Sequence, residues 1–365
     1  MSRVSDAMPA RGAGRERAQR VFHWAARRLF SGRTGRVADG SIERLLVVRV
    51  DERIGNLITL QSMIDALREG LPGLALGLLA SVRVRRVAES LTGVDRLHLV
   101  DKRWFFARPA RWFRTVRALR REAYQVCIDA SAWHVFSFTH AALSYYSGAP
   151  VRIGYRREVG GAFHSVQVDP GPAREHELKQ RMRLLAPLGI DADPPQLRTG
   201  LGLEGVEGWR GWLEDLRLGA LRIGLWPGAR KLERRWPVPF FVQLARKLQQ
   251  RQGADLVVLW GPGEEELRDH VASAIREGVV TAPRTDLDEL AGLMRCLDLV
   301  IVNDTGPMHL AVAVGTPTLA LFASGDPRRW CHPYPHVRSL AAPGADPREV
   351  EQAAAAAARL LGRTR

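Results

Sequence analysis

Short apolar runs alternate with longer amphipathic stretches along this chain, and the alternation occurs in two series. In the first, residues 45–50, 74–79, 96–100, 126–129, 151–155 and 165–168 read as strands, with helical spacing over 57–69 and 104–123. In the second, strands are predicted at 222–225, 255–259, 279–280, 299–302 and 318–322, with helices near 237–251, 264–277 and 286–296. Brief apolar runs bounded by turn residues suit buried strands, and strands separated by helices predict parallel sheets covered on both faces. A helix over 176–188 stops at Gly189, and the polar break Asp191-Ala192-Asp193-Pro194-Pro195 follows. The pattern therefore predicts an α/β chain with a leader over 1–40 and units over 41–175 and 176–345. A C-terminal helix over 346–365 ends it. Two similar halves imply a cleft between them, with ligands at the carboxyl ends of the strands.

One stretch concentrates polar residues at such an end. The run 299–302 breaks into Asn303-Asp304-Thr305-Gly306-Pro307, a short apolar helix follows, and Gly315-Thr316-Pro317 turns the chain into the next strand. Pro307 suits a first helical position, where a missing N–H leaves no hydrogen bond unmade. Asp304 or Thr305 can cap that end, Gly306 permits close approach to the backbone, and His309 falls in the first turn. Free N–H groups and the helix dipole there favour a phosphate or diphosphate. The opposing reading, in which Asp304 and Thr305 merely cap and His309 merely packs, fits the spacing equally well.

The segment Asn303-Asp304-Thr305-Gly306-Pro307-Met308-His309-Leu310-Ala311, followed by Gly315-Thr316-Pro317, resembles the donor-site signature of the heptosyltransferase family. This is the ADP-heptose:lipopolysaccharide group, glycosyltransferase family 9. The resemblance extends over most of residues 43–340. It includes the opening strand and loop through Arg53-Ile54-Gly55-Asn56, the turn Trp226-Pro227-Gly228-Ala229 and Arg234-Arg235-Trp236-Pro237. Trp260-Gly261-Pro262-Gly263-Glu264 and Asp326-Pro327-Arg328-Arg329-Trp330 complete it. It implies the GT-B architecture, two facing Rossmann-like domains with a central cleft. It also implies an inverting, metal-independent transfer of heptose, or a related sugar, from an ADP-sugar to a lipopolysaccharide core or similar lipid-linked glycan, with no cofactor.

Such a transfer has two requirements: stabilising the departing diphosphate and removing the acceptor proton. For the first, the resemblance points to Asp304, Thr305, Gly306, Pro307 and His309, with Arg234 on the basic turn 230–235 and Glu264 toward the ribose. Relatives usually carry Lys at the position of Arg234, which keeps the charge and alters the fork geometry. For the second, the chain departs from the pattern. The family loop commonly ends in the Asp that acts as general base, and Asn56 stands there instead. Asp51 or Glu52 can substitute, Asn56 can orient the acceptor while another group takes the proton, or activity is lost. The last case leaves a silent binding or scaffold protein, and a different nucleotide sugar is a further alternative. Gln61, where relatives usually have Pro, marks a divergent branch.

Composition narrows the partners. The formal charge is +15, from 54 Lys and Arg against 39 Asp and Glu, so an anionic partner is expected. Without a recognition motif of the usual kinds, nucleic acid falls behind a phosphorylated donor and an anionic glycolipid acceptor. Within the leader, residues 17–30 can form a helix with Arg17, Arg20, Arg27 and Arg28 mostly off its apolar face. It suits either an anionic membrane surface or a disordered extension. Three scattered cysteines and the lack of any membrane-length apolar run place the expected site of action in the cytoplasm, at or near the membrane's inner face. The Asp191/Asp193 and Asp286/Asp288 pairs read as turn and cap residues, so no metal is expected.

Overall fold

In the computed structural model, which describes residues 41–157 and 161–362, the apolar runs form two six-stranded sheets. The leader expected at 1–40 lies outside the described residues. The first sheet comprises β1 (Arg44–Arg49), β2 (Ala75–Ser81), β3 (Arg96–Val100), β4 (Val126–Asp129), β5 (Val151–Tyr155) and β6 (Val166–Val168). The second comprises β7 (Arg222–Trp226), β8 (Asp255–Val258), β9 (Val279–Thr281), β10 (Leu299–Asn303), β11 (Thr318–Phe322) and β12 (Val337–Ala341). Their orders are β3-β2-β1-β4-β5-β6 and β12-β11-β10-β7-β8-β9, parallel throughout. Both are the doubly wound order. The strand sequence therefore reverses between β1 and β4, and again between β7 and β10, opening a crevice at the carboxyl ends of each pair.

The helices that bear on the site are α1 (Ile54–Ile58), α2 (Gln61–Gly70), α3 (Pro109–Arg121), α4 (Glu177–Met182), α5 (Val238–Gln252), α6 (Glu265–Ile275), α7 (Leu287–Arg295), α8 (Gly306–Ala313) and α9 (Arg348–Gly362). The helix expected over 57–69 is split at Thr59-Leu60. Gln61 explains the restart. Buried at the head of α2, its amide donates to Asp65 Oδ1 (2.7 Å) and the Thr92 carbonyl (3.0 Å) and accepts from the Thr92 N–H (2.9 Å). The stretch over 176–188 begins as α4 and tightens into a 3₁₀ turn that ends at Gly189, whose φ of 77° is a left-handed position that favours glycine. That turn packs on β5 and β6, and α4 packs on α2, all in the first half, whereas α9 lies along α5 and the second sheet. The sequence pattern missed β12, a half-exposed edge strand with Arg338 and Ser339 in it. One apolar cluster runs through both halves, joining Leu45, Val47, Leu57 and Met63 to Val302, Met308, Leu310 and Phe322.

Of the two Asp-x-Asp pairs, Asp286 caps α7 in a reciprocal box with Glu289, and Asp288 pairs with Arg86 across the halves. Asp193 pairs with Lys179 at 3.3 Å.

Candidate active site

The second half builds its side of the site at the β7/β10 reversal. Asn303, the last residue of β10, is fully buried. Its carbonyl oxygen accepts the Trp236 N–H (3.0 Å), and its amide donates to the Pro227 carbonyl (2.8 Å). These bonds fasten the basic turn and the Trp226-Pro227-Gly228 loop to the mouth of α8. Asp304 lies buried beside it, 3.0 Å from Arg234 Nη1, which also donates to the Asp304 carbonyl (3.3 Å). Burial pushes the Asp304 carboxyl above its ordinary value, and the Arg234 charge only partly offsets this. Arg234 remains about one-third exposed, so its other N–H donors are available to an anion. Thr305 is the N-cap residue of α8 in extended backbone and Pro307 fills the first turn, while Thr305 and Gly306 stay half-buried. Glu264 holds the Gly261 N–H at 3.0 Å and lies against Gly228, whose missing side chain makes room for the carboxylate. Partial burial raises its pKa, opposed by the Gly261 N–H and Arg235.

His309, expected beside the diphosphate, turns toward the other half. Its ring is buried, bonded through Nδ1 to His332 Nε2 (2.8 Å) and packed on Gly55 of the other half. Burial, with Arg181, Arg234 and His176 nearby, pushes its pKa down to about 3, so the ring is neutral and brings no cation to the helix mouth. It serves the junction between the halves.

On the opposite wall, Asp51 and Asn56 come together: Asn56 Nδ2 donates to Asp51 Oδ1 (2.9 Å), the Arg53 N–H donates to the same oxygen (3.2 Å), and Arg49 pairs with Oδ2. Burial alone would raise the Asp51 carboxyl; Arg49, the Asn56 amide and His140 outweigh it and hold it below the usual carboxylate range. Glu52 is drawn off toward Lys102 (3.3 Å) and Arg83 (3.5 Å). Gly55, between these candidates, approaches Gly306 so closely that an added Cβ would lie 3.3 Å from the Gly306 Cα. The mouth of α8 therefore faces the loop carrying Asp51 and Asn56, across the gap between the halves.

Residues 112–345 match the model of glycosyltransferase family 9 (heptosyltransferase). The chain belongs to glycosyltransferase family 9. It is 26% identical over 301 residues to lipopolysaccharide heptosyltransferase 1 of Pseudomonas aeruginosa, covering 78% of this chain and 79% of that one. Its fold is similar to a family 9 glycosyltransferase from Veillonella parvula (TM-score 0.74, 20% identity, 89% of this chain and 99% of that one). It is also similar to E. coli heptosyltransferase WaaC with ADP (TM-score 0.66, 19% identity, 87% and 99%). The architecture is GT-B, and the protein is a glycosyltransferase.

This family 9 chain also carries a polar cluster under the β1/β4 crevice that the sequence reading missed. Asp129, at the end of β4, accepts from His164 Nε2 (3.0 Å) and the Ser131 N–H (3.0 Å). Burial would raise Asp129, but His164 and His140 hold it well below the carboxylate range. His140 takes the Val50 N–H through Nε2 (3.0 Å), Arg49 Nη1 donates to the Ala130 carbonyl, and the buried Arg181 donates to Thr59 Oγ1 (2.9 Å). Arg49 was the legible clue, a cation inside the otherwise apolar run 45–50. The histidines were not, because each partner lies far away in sequence.

Proposed function

We propose that this protein is an inverting, metal-independent heptosyltransferase, moving a heptose from an ADP-sugar to a lipopolysaccharide core or similar lipid-linked glycan on the cytoplasmic side of a membrane. In this reading the first half, with α4 packed on it, holds the acceptor, and the second half, with α9, holds the nucleotide sugar. The carrying observation is the facing pair of loops: the N-terminus of α8, with Arg234 beside it, meets the Asp51–Asn56 loop across the gap at Gly55 and Gly306. Similarity to a lipopolysaccharide heptosyltransferase supports the choice of sugar and acceptor, and the neighbour solved with ADP supports an adenine nucleotide.

The chemistry follows from charge placement. The acceptor hydroxyl oxygen forms a bond to the anomeric carbon as the bond from that carbon to the diphosphate oxygen breaks. The hydroxyl proton passes to the Asp51 carboxylate, which Asn56 orients. Negative charge grows on the departing diphosphate, where the first-turn N–H groups of α8 and the Arg234 guanidinium stabilise it. Glu264 is suited to the ribose hydroxyls. In-line attack by one hydroxyl inverts the anomeric centre.

A silent binding protein is the rival reading, favoured by the low proton affinity of Asp51. Calorimetry with ADP-heptose, followed by a glycan-extension assay, separates the two. Donor binding that weakens about tenfold or more in Arg234→Ala, with turnover in the wild type, supports the transferase. Binding without turnover favours the silent protein, and no binding, or binding indifferent to Arg234→Ala, overturns both.

A further inference from the structure

Away from the cleft, α3 presents an outer face that nothing in the mechanism uses. The helix buries Trp112 and Leu119 and leaves Phe113 69% exposed. At 100° per residue, Phe113, Arg114, Arg117 and Arg121 fall within one sector of about a hundred degrees on its solvent side. The whole stretch from Lys102 to Arg121 holds Lys102, Arg103, Arg108, Arg111, Arg114, Arg117, Arg120 and Arg121 with no acidic residue. Among the described residues, no carboxylate lies within ion-pair distance of any arginine on α3. Other surface arginines are paired: Arg85 with Glu89 at 2.9 Å, Arg251 with Glu351 at 2.8 Å and Arg268 with Asp269 at 2.7 Å.

We infer that the α3 face carrying Phe113, Arg114, Arg117 and Arg121 docks the protein on an anionic phospholipid bilayer. An array of unpaired guanidinium groups matches a dense plane of phosphates, and an exposed phenyl ring among them gains by entering the boundary between headgroups and acyl chains. A folded protein partner would ordinarily be met by a larger apolar centre than a single ring. The position also fits. Lys102 and Arg103, which pair with Glu52 and Asp101, and the 40%-exposed Phe105 lie just past the carboxyl end of β3, so the segment leading into α3 starts at the end of the sheet from which the cleft opens. A protein seated on this face holds that edge next to the lipid.

The test uses the full chain and vesicles free of any glycolipid, so its failure leaves the transferase reading untouched. Co-sedimentation is measured with vesicles of phosphatidylcholine alone and of phosphatidylcholine mixed with phosphatidylglycerol. The wild type is expected to bind only the anionic vesicles, less as salt rises. The triple variant Arg114→Glu, Arg117→Glu and Arg121→Glu should lose about tenfold or more of this partitioning, and the matching triple Lys variant should keep it. Phe113→Ser should weaken binding without changing its salt dependence. Unchanged far-ultraviolet circular dichroism and ADP-heptose affinity in each variant show that the fold persists, and Arg117→Glu alone serves if the triple variant does not fold. The inference is overturned if the Glu variant partitions like the wild type or the wild type ignores anionic vesicles. Displacement of the bound protein by RNA, marking a general polyanion surface, also overturns it. So does loss of binding on replacing Arg17, Arg20, Arg27 and Arg28 by Gln while the α3 variant still binds.

Discussion

In the proposed mechanism Asp51 and Asn56 share the task that a single aspartate at position 56 would have, and the division has consequences for pH. Asp51 is held ionised by Arg49 and by the amide of Asn56, so its folded pKa lies below the ordinary carboxylate value. The acid limb of kcat should therefore fall below about pH 4, with no loss of activity between pH 7 and 5 from this group. Asp51→Asn should lower kcat by about 10²–10⁴-fold and leave ADP-heptose affinity unchanged, which steady-state kinetics beside calorimetry would read. Asn56→Asp places a second carboxylate against the first, and two like charges sharing a site raise one pKa. The acid limb of kcat in that variant should move upward. A profile superimposable on the wild type would remove Asp51 from the role of base. Arg234 enters the proposed mechanism at the same scale by a different route: its ion pair with the buried Asp304 fixes one nitrogen, and the rest of the fork is assigned there to phosphate.

Between elements, the approach of α1 to α8 sets how closely the two walls meet, and two glycines permit it. A Cβ at Gly55 would lie 2.5 Å from Cδ2 of His309, whose ring is fixed by its bond to His332. A Cβ at Gly306 would lie 2.7 Å from Cγ1 of Ile54. Gly55→Ala should therefore cost about 1–3 kcal/mol in urea unfolding, and Gly306→Ala less, since the end of Ile54 can turn away. Equal effects, or none, would contradict the packing described. This junction shows why part of the molecule was readable beforehand. The strands of both sheets were visible because buried parallel strands are continuous apolar runs, and the turn at Asn303–Pro307 was visible because cap, glycine and proline sit together. The pairing of His309 with His332, 23 residues on, leaves no local trace, so its spacing in the first turn of α8 suggested a ligand where tertiary contact supplies a structural partner. Asn303 was legible only as part of a signature; its task of stapling β10 to the β7 loop depends on the sheet order.

At the scale of the whole molecule, the halves are joined through three histidines, His309 and His332 buried and His176 half-buried, and this makes the fold sensitive to mild acid. His176 at the head of α4, His309 on α8 and His332 beyond β11 lie in contact, with ring centres 5.4 Å and 5.0 Å from His332 and the buried Arg181 charge close by. Burial, then the neighbouring cations, depresses all three: His176 to about 4, His309 to about 3, and His332 well below its ordinary value. The sign is fixed by proton uptake on unfolding. Above about pH 6.5 the rings are neutral in both states and the junction contributes in full. As pH falls below that, the unfolded chain takes up protons that the folded one refuses, so stability is lost. The slope is at most about 1.4 kcal/mol per pH unit for each histidine. The depressed carboxylates Asp51, Asp129 and Glu349 lose their contribution only below about pH 4. Over the interval from pH 6.5 to 5 the other depressed histidines, His98, His134 and His140, act in the same direction, and the raised carboxyls of Asp304 and Glu264 act in the opposite one, so the junction is read from the difference between wild type and variant. Urea midpoints measured across that interval should fall steadily in the wild type and less steeply in His309→Gln/His332→Gln, which keeps polar side chains there without the titration. Midpoints that fall with the same slope in wild type and double variant would mean that His309 and His332 take up no extra protons on unfolding, and their neutral burial at the junction would be wrong.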